Sequence, residues 1–172
     1  MNIFVLDRSP IAAAHMMCDK HISKMVIECG QIMRAALGRH GLNEEMCYEF
    51  GILTVSGTPW RITHKNHPCT LWAGDSRANF MWLSLHAEAL LNEYYDRYKK
   101  VHACHNAIYN MSMMRKMIPD GTLTPFAQAM PDEYRNPCAI TAYRAYYHSK
   151  AFAKWEKGAP VPDWWRGAEV TA

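Results

Sequence analysis

His21, Lys24, Glu28 and Gln31 recur at intervals of three and four residues, so a helix places them on a single polar stripe. Beside that stripe runs an apolar face that includes Ile22, Met25, Val26, Cys29, Ile32 and Met33. A carboxylate at the edge of a core, next to a lysine and a histidine, can serve as a general acid or base or as an electrostatic stabiliser, because burial raises its pKa and a nearby cation lowers it. The plainer alternative is a solvated edge with a Lys24–Glu28 pair one turn apart. Arg34 falls on the solvent side of the same wheel.

A second stripe repeats the theme. Asn79, His86, Glu93 and Arg97 share a helix face with Trp72, Leu83 and Leu90. If the two stripes face each other, a polar pocket forms between two helices, a frequent place for ligands. The alternative is a surface Glu93–Arg97 pair and a satisfied core His86. Ahead of this helix, His64-Lys65-Asn66-His67 precedes Pro68. Donors and a cation at a helix N-terminus suit an anion or phosphate, unless they amount only to an Asn66 cap with exposed histidines. Gln128 and Arg144 are candidates for the pocket rim. Cys18-x-x-His21, His67-x-Cys69 and His102-x-Cys104-His105 have ligand-like local spacing, but no CxxC or HExxH is present. The expectation is no metal or other cofactor, with zinc on Cys18, His21 and His67 as the alternative.

The elements that must carry these residues are mainly helical. The pattern predicts an extended arm or short strand at Asn2–Leu6, then a helix over about Ile11–Leu37 started by Ser9-Pro10. A short helix follows from Glu44 to Phe50, capped by Asn43. Another opens at Pro68, is interrupted at Gly74-Asp75-Ser76 and runs to about Lys100. Further helices are expected over His102–Met117 and from Asn136-Pro137 to Lys157. Trp164 and Trp165 should dock the tail. The fold class is thus a mainly α, single compact helical domain over residues 1–166, with a flexible tail over 167–172.

With 172 residues, 49% hydrophobic and 20% charged, the chain can bury a core, which excludes disorder over most of its length. A net charge of +3 does not establish nucleic-acid binding but is compatible with an anionic partner. No apolar run approaches the length of a membrane span, and no basic leader precedes the first residues. The six cysteines look like small buried hydrophobes in a reducing cytoplasm. The oligomeric state stays open.

Four strings carry a resemblance that covers nearly the whole chain. They are Cys18-Asp19-Lys20-His21-Ile22-Ser23-Lys24-Met25 with Glu28 and Gln31; Asn66-His67-Pro68 with Trp72, Asn79 and Trp82-Leu83; Glu93-Tyr94 and Arg97 with His102; and Thr124-Pro125-Phe126-Ala127-Gln128 through Tyr134, with Ala142-Tyr143-Arg144 and Tyr146-Tyr147. Together they resemble a group of small phage-encoded proteins, mostly without an assigned function. Over the first half alone, Lys24-x-x-x-Glu28-x-x-Gln31 followed by His67-Pro68 and Trp72 is similar to the pyrimidine-dimer DNA glycosylases. That resemblance implies a compact helical protein that needs no metal and flips a nucleotide out of the duplex. An N-terminal α-amine would attack the deoxyribose C1′ with help from a glutamate, and the strand would break by β-elimination. Glu28 would be that glutamate, with His21, Lys24 and Arg97 as DNA or substrate contacts. Met1 ahead of Asn2 is expected to be retained, so the amine would be that of Met1 or of Lys24.

These readings converge on an enzyme that processes a base in DNA or a nucleotide, a glycosylase acting on a modified or damaged base, working in the cytoplasm of a phage's host. Glu28, Lys24 and His21 would carry the chemistry. His64, Lys65, Asn66, His67 and Arg97 would hold phosphate, with Trp72, Asn79, His86, Gln128 and Arg144 as further substrate contacts. Two alternatives remain open: a metal-dependent enzyme on a small nucleotide, and a non-catalytic phage protein that binds nucleic acid or a host factor.

Overall fold

The computed structural model describes residues 1–168. Its helices are α1 (Pro10–His15), α2 (Asp19–Arg39), α3 (Glu44–Glu49), α4 (Pro68–Asp75), α5 (Arg77–Tyr98), α6 (His105–Met113) and α7 (Ala139–His148), with 3-10 turns at Met114–Met117 and Asp132–Tyr134. Among the described residues there is no strand; Leu53 and Pro59 form one isolated bridge. The start of the chain is therefore the extended arm, not a strand. Of the expected tail, residues 169–172 lie outside the described residues. No helix of the described residues is long and apolar enough to cross a membrane.

The expected first helix is two. Ser9 caps α1 through Ala12 N–H and Pro10 occupies its first position, as the sequence predicts. The chain then breaks at Met16–Cys18 because the carbonyls of His15, Met16 and Met17 find other donors. Arg97 donates to Met17 O at 2.8 Å and to His15 O at 3.1 Å, and Trp155 Nε1 donates to Met16 O at 3.2 Å. These side chains replace the bonds a continuous helix would make. The Ser76 hydroxyl recaps α5 through Asn79 N–H, so the expected interruption after Gly74 holds.

The last helix is shorter than its pattern. After His148 the chain turns, and the first residue of α2 holds it: Asp19 N–H donates to Lys154 O, while Asp19 Oδ2 accepts from Glu156 N and Lys157 N at 2.6 and 3.1 Å. Trp164 and Trp165 dock as expected. Trp165 stacks on His148 at 4.9 Å, and Trp164 Nε1 donates to Met16 Sδ.

The core lies where α2, α4 and α5 meet under the arm. Ile3, Val5, Leu6, Ile22, Met25 and Phe80 are fully covered. All six cysteines are free; Cys18, Cys29, Cys47 and Cys69 are buried, but Cys104 is half-buried and Cys138 is exposed, so the last two are not the core hydrophobes expected. Arg34 is not on the solvent side. It is 2% exposed, and its guanidinium donates to Trp60 O and Leu42 O, because the loop leading into α4 folds over that side of α2.

Candidate active site

The arm ends in a hook. Asn2 Oδ1 accepts from Ile3 N at 2.8 Å and from Phe4 N at 3.2 Å, and Phe4 takes the left-handed φ of 41°. That conformation costs about 1–3 kcal/mol for a residue other than glycine, so something must hold it. The Phe4 ring does: it is buried, stacked on His21 at 4.7 Å and on Tyr146 at 5.8 Å. Asn2 Nδ2 adds a bond to Ala129 O at 2.7 Å.

The hook brings the start of the chain onto the stripe of α2. Asn2 N–H donates to Glu28 Oε2 at 2.7 Å, while Lys24 Nζ stands 3.3 Å from Glu28 Oε1. Glu28 is only 12% exposed, whereas Lys24 is 65% exposed. His67 completes the cluster. Its Nδ1 accepts from Cys69 N–H at 3.2 Å and so caps α4, the task that the alternative reading of this segment gave to Asn66. The His67 pKa is lowered, first by burial and then by the charge of the Met1 amine, which Glu28 and a hydrogen bond to the Met1 backbone partly offset. Beneath lies Cys69, its thiol pushed up to about 12 chiefly by burial, so it stays protonated and inert at neutral pH.

His21 is next to this group but turned inward. Cys18 N–H donates to Tyr147 Oη at 3.0 Å, and the same hydroxyl pairs with His21 Nδ1 at 2.7 Å. Burial, followed by Lys24, Lys150 and Lys20, holds the His21 pKa down to about 3.

The rest of the expected site is spread over the molecule. His64, Lys65 and Asn66 form an exposed turn before α4, with His64 at a φ of 51°. Gln128 exchanges two hydrogen bonds with the Asn136 backbone beside a 560 Å³ hollow lined also by Pro68 and Arg135. Arg144 donates to Leu6 O and faces Asp7, which ties it to the arm. Trp72 is buried, edge-on to Trp82.

The second stripe does not answer the first across a gap. Asn79 binds Trp72 O and both the hydroxyl and the N–H of Thr124, and His86 Nδ1 donates to Pro10 O. Arg97 makes four hydrogen bonds, to Glu93, Asp19, Met17 and His15, and its Nη2 also pairs with Glu93 at 2.6 Å, so its guanidinium is engaged inside the protein where a phosphate was expected. Glu93 also meets His15 Nδ1. Cys18, His21 and His67 sit in separate bonding environments, and among the described residues no three His, Cys, Asp or Glu side chains group as metal ligands.

Asn2 and Asp19 anchor the arm and the later chain, and the sequence pattern assigned neither of them a role. Asn2 is a lone polar residue in an apolar arm, and Asp19 begins a helix as many aspartates do. Neither spacing nor charge pattern marks them.

A helical domain that folds its own first residues onto a half-hidden glutamate has the parts of an amine–carboxylate site. The sequence model of the pyrimidine dimer DNA glycosylase family matches residues 1–106, and the chain belongs to that family. Membership brings DNA as the substrate class. No curated protein and no solved structure matches the chain.

Proposed function

We propose that the protein is a DNA glycosylase with lyase activity on a modified or damaged base, and that its nucleophile is the α-amine of Met1. The amine nitrogen attacks the deoxyribose C1′, the C1′–base bond breaks, and the base leaves with a proton. The sugar ring opens to an imine on the protein. Removal of a C2′ proton then expels the 3′ phosphate, and water releases the protein from the imine. Glu28 shuttles protons among these atoms and steadies the positive charge that develops at C1′. Lys24 screens the carboxylate, while the exposed His64–Asn66 turn meets the backbone phosphates. The scheme needs no metal or other cofactor.

The observation that carries this reading is the 2.7 Å bond from Asn2 N–H to Glu28 Oε2, which keeps the start of the chain beside the family's expected carboxylate. Borohydride trapping on DNA with an abasic or damaged site is the test. Reduction of the imine should give a covalent adduct, and peptide mapping should place it on the Met1 peptide. An adduct on Lys24 would move the nucleophile, and no adduct on any of these substrates would remove the amine mechanism.

A further inference from the structure

Lys20, Lys24 and Glu28 follow one another at one-turn steps along one face of α2. Lys24 turns to Glu28, but the Lys20 ammonium lies over the Phe152 ring, 4.7 Å from its centroid. Phe152 is edge-on to His21 at 5.1 Å, His21 is stacked on Phe4, and Phe4 is stacked on Tyr146. Lys150 closes the row. Its ammonium stands 3.6 Å from the centroid of Tyr146 and 5.9 Å from that of Phe4, and it donates to Ser149 Oγ at 3.1 Å. Two ammonium groups thus bracket a row of rings on the flank of the candidate site. Among the described residues, neither Lys20 nor Lys150 forms an ion pair.

This placement works against stability. Lys20 sits in the first turn of α2, at the positive end of the helix dipole and one turn from another ammonium. Phe152 stays 40% exposed under it. A ring face holds an ammonium in position without neutralising it, so both charges stay available to an anion. Local choices that cost stability and leave charge unanswered mark a place where a ligand supplies the missing partner. Ammonium groups meet phosphate oxygens as point charges, which suits a backbone that is gripped without being read.

We propose that Lys20 and Lys150 each take a phosphate of the DNA strand that enters the Glu28 site, with Phe152 and Tyr146 holding the two ammonium groups in line. This rests on the glycosylase reading above. It adds that part of the DNA surface comes from residues 146–152, beyond the family match that ends at residue 106.

The test is the salt dependence of binding to a duplex with a tetrahydrofuran abasic site, which has no aldehyde and cannot form the imine. Each phosphate contact contributes about 0.9 to the slope of log K against log salt. Lys20→Ala and Lys150→Ala should each lower the parent's slope by about that amount, and the double variant by about twice as much. Lys20→Arg and Lys150→Arg keep the charge and should keep the slope. Lys154→Ala should leave it unchanged, because that ammonium already pairs with Glu156. A parent-like slope in either alanine variant overturns the proposal, as does an equal drop in Lys154→Ala. A drop in the arginine variants as large as in the alanine ones also overturns it, since the fold and not the charge would then be responsible. So does a parent that does not bind the duplex. A parent that gives this order of slopes but never traps with borohydride sinks the amine chemistry and leaves the phosphate contacts standing. Trapping by a protein whose alanine variants keep the parent slope does the reverse.

Discussion

Glu28 accepts the Asn2 backbone N–H at 2.7 Å on one oxygen and faces the Lys24 ammonium at 3.3 Å on the other. The two contacts differ in kind. The first holds the arm in place, and the second is a one-turn pair with a largely exposed partner. Glu28→Gln keeps an oxygen for Asn2 but loses the charge. We expect thermal stability close to the parent's and at least about a hundredfold less strand cleavage, the scale of a lost general acid–base. An unchanged single-turnover rate would take Glu28 out of the mechanism.

Lys24→Ala should be mild. An exposed pair of this kind contributes at most about 0.5 kcal/mol. The borohydride adduct should still form, within a few-fold of the parent yield, and loss of the adduct would transfer the nucleophile to Lys24.

Arg97→Met should be severe. Arg97 is 2% exposed and sits between Asp19 and Glu93, themselves 12% and 10% exposed. Removing it strands two covered carboxylates, and breaking such a set costs about 3–5 kcal/mol. Urea unfolding followed by circular dichroism reads this directly. A loss below about 1 kcal/mol would show that water, not the guanidinium, satisfies those carboxylates.

Stability should fall as the solution is acidified below neutral. Burial keeps His21 neutral, its pKa pushed down to about 3, and holds His86 at about 4. In the unfolded chain both protonate near about pH 6.5. Between that value and the folded pKa values the unfolded state binds more protons, so each ring's contribution is intact above about pH 6.5 and erodes by about 1.4 kcal/mol per pH unit below it. Urea midpoints at about pH 7 and about pH 5 should differ accordingly. His21→Phe, which keeps a ring against Phe4, should lower the slope by about one proton. Equal midpoints in the parent protein would contradict the neutral histidines.

Gly30→Ala tests how tightly the loop before α4 is pressed on α2. A Cβ there would lie 2.6 Å from two atoms of the Trp60 ring. Trp60 has little freedom to yield, since its indole N–H donates to Leu53 O and its carbonyl accepts from Arg34. Alanine usually improves a helix by about 1 kcal/mol over glycine, but overpacking of this kind costs about 1–3 kcal/mol. A net loss in melting temperature is expected, and a gain would mean that the loop shifts freely.

Helical periodicity made α2 and α5 readable, because a 3.6-residue repeat marks which side of a helix meets the core. It also marked the edge that carries Lys24 and Glu28. It failed at Arg34, whose cover comes from residues 42 to 60, and at the break after α1, where the carbonyls of His15, Met16 and Met17 are captured by Arg97 and Trp155 from far along the chain. Asn2 was hidden for the same reason: its partners, Glu28 and Ala129, lie 26 and 127 positions away. A helix face can be inferred locally, whereas the guest that lands on it depends on tertiary folding.

The family match ends at residue 106, yet Ala129, Tyr147 and Lys154–Lys157 reach back to bind Asn2, His21 and Asp19. This later stretch behaves as a roof fastened to the matched half by its own beams. A relative that dispensed with it would expose the rings of Phe4 and His21 and the carboxylate of Asp19 together. The matched half is therefore not self-sufficient in this fold: its inward-facing rings and the Asp19 carboxylate take their cover from beyond residue 106.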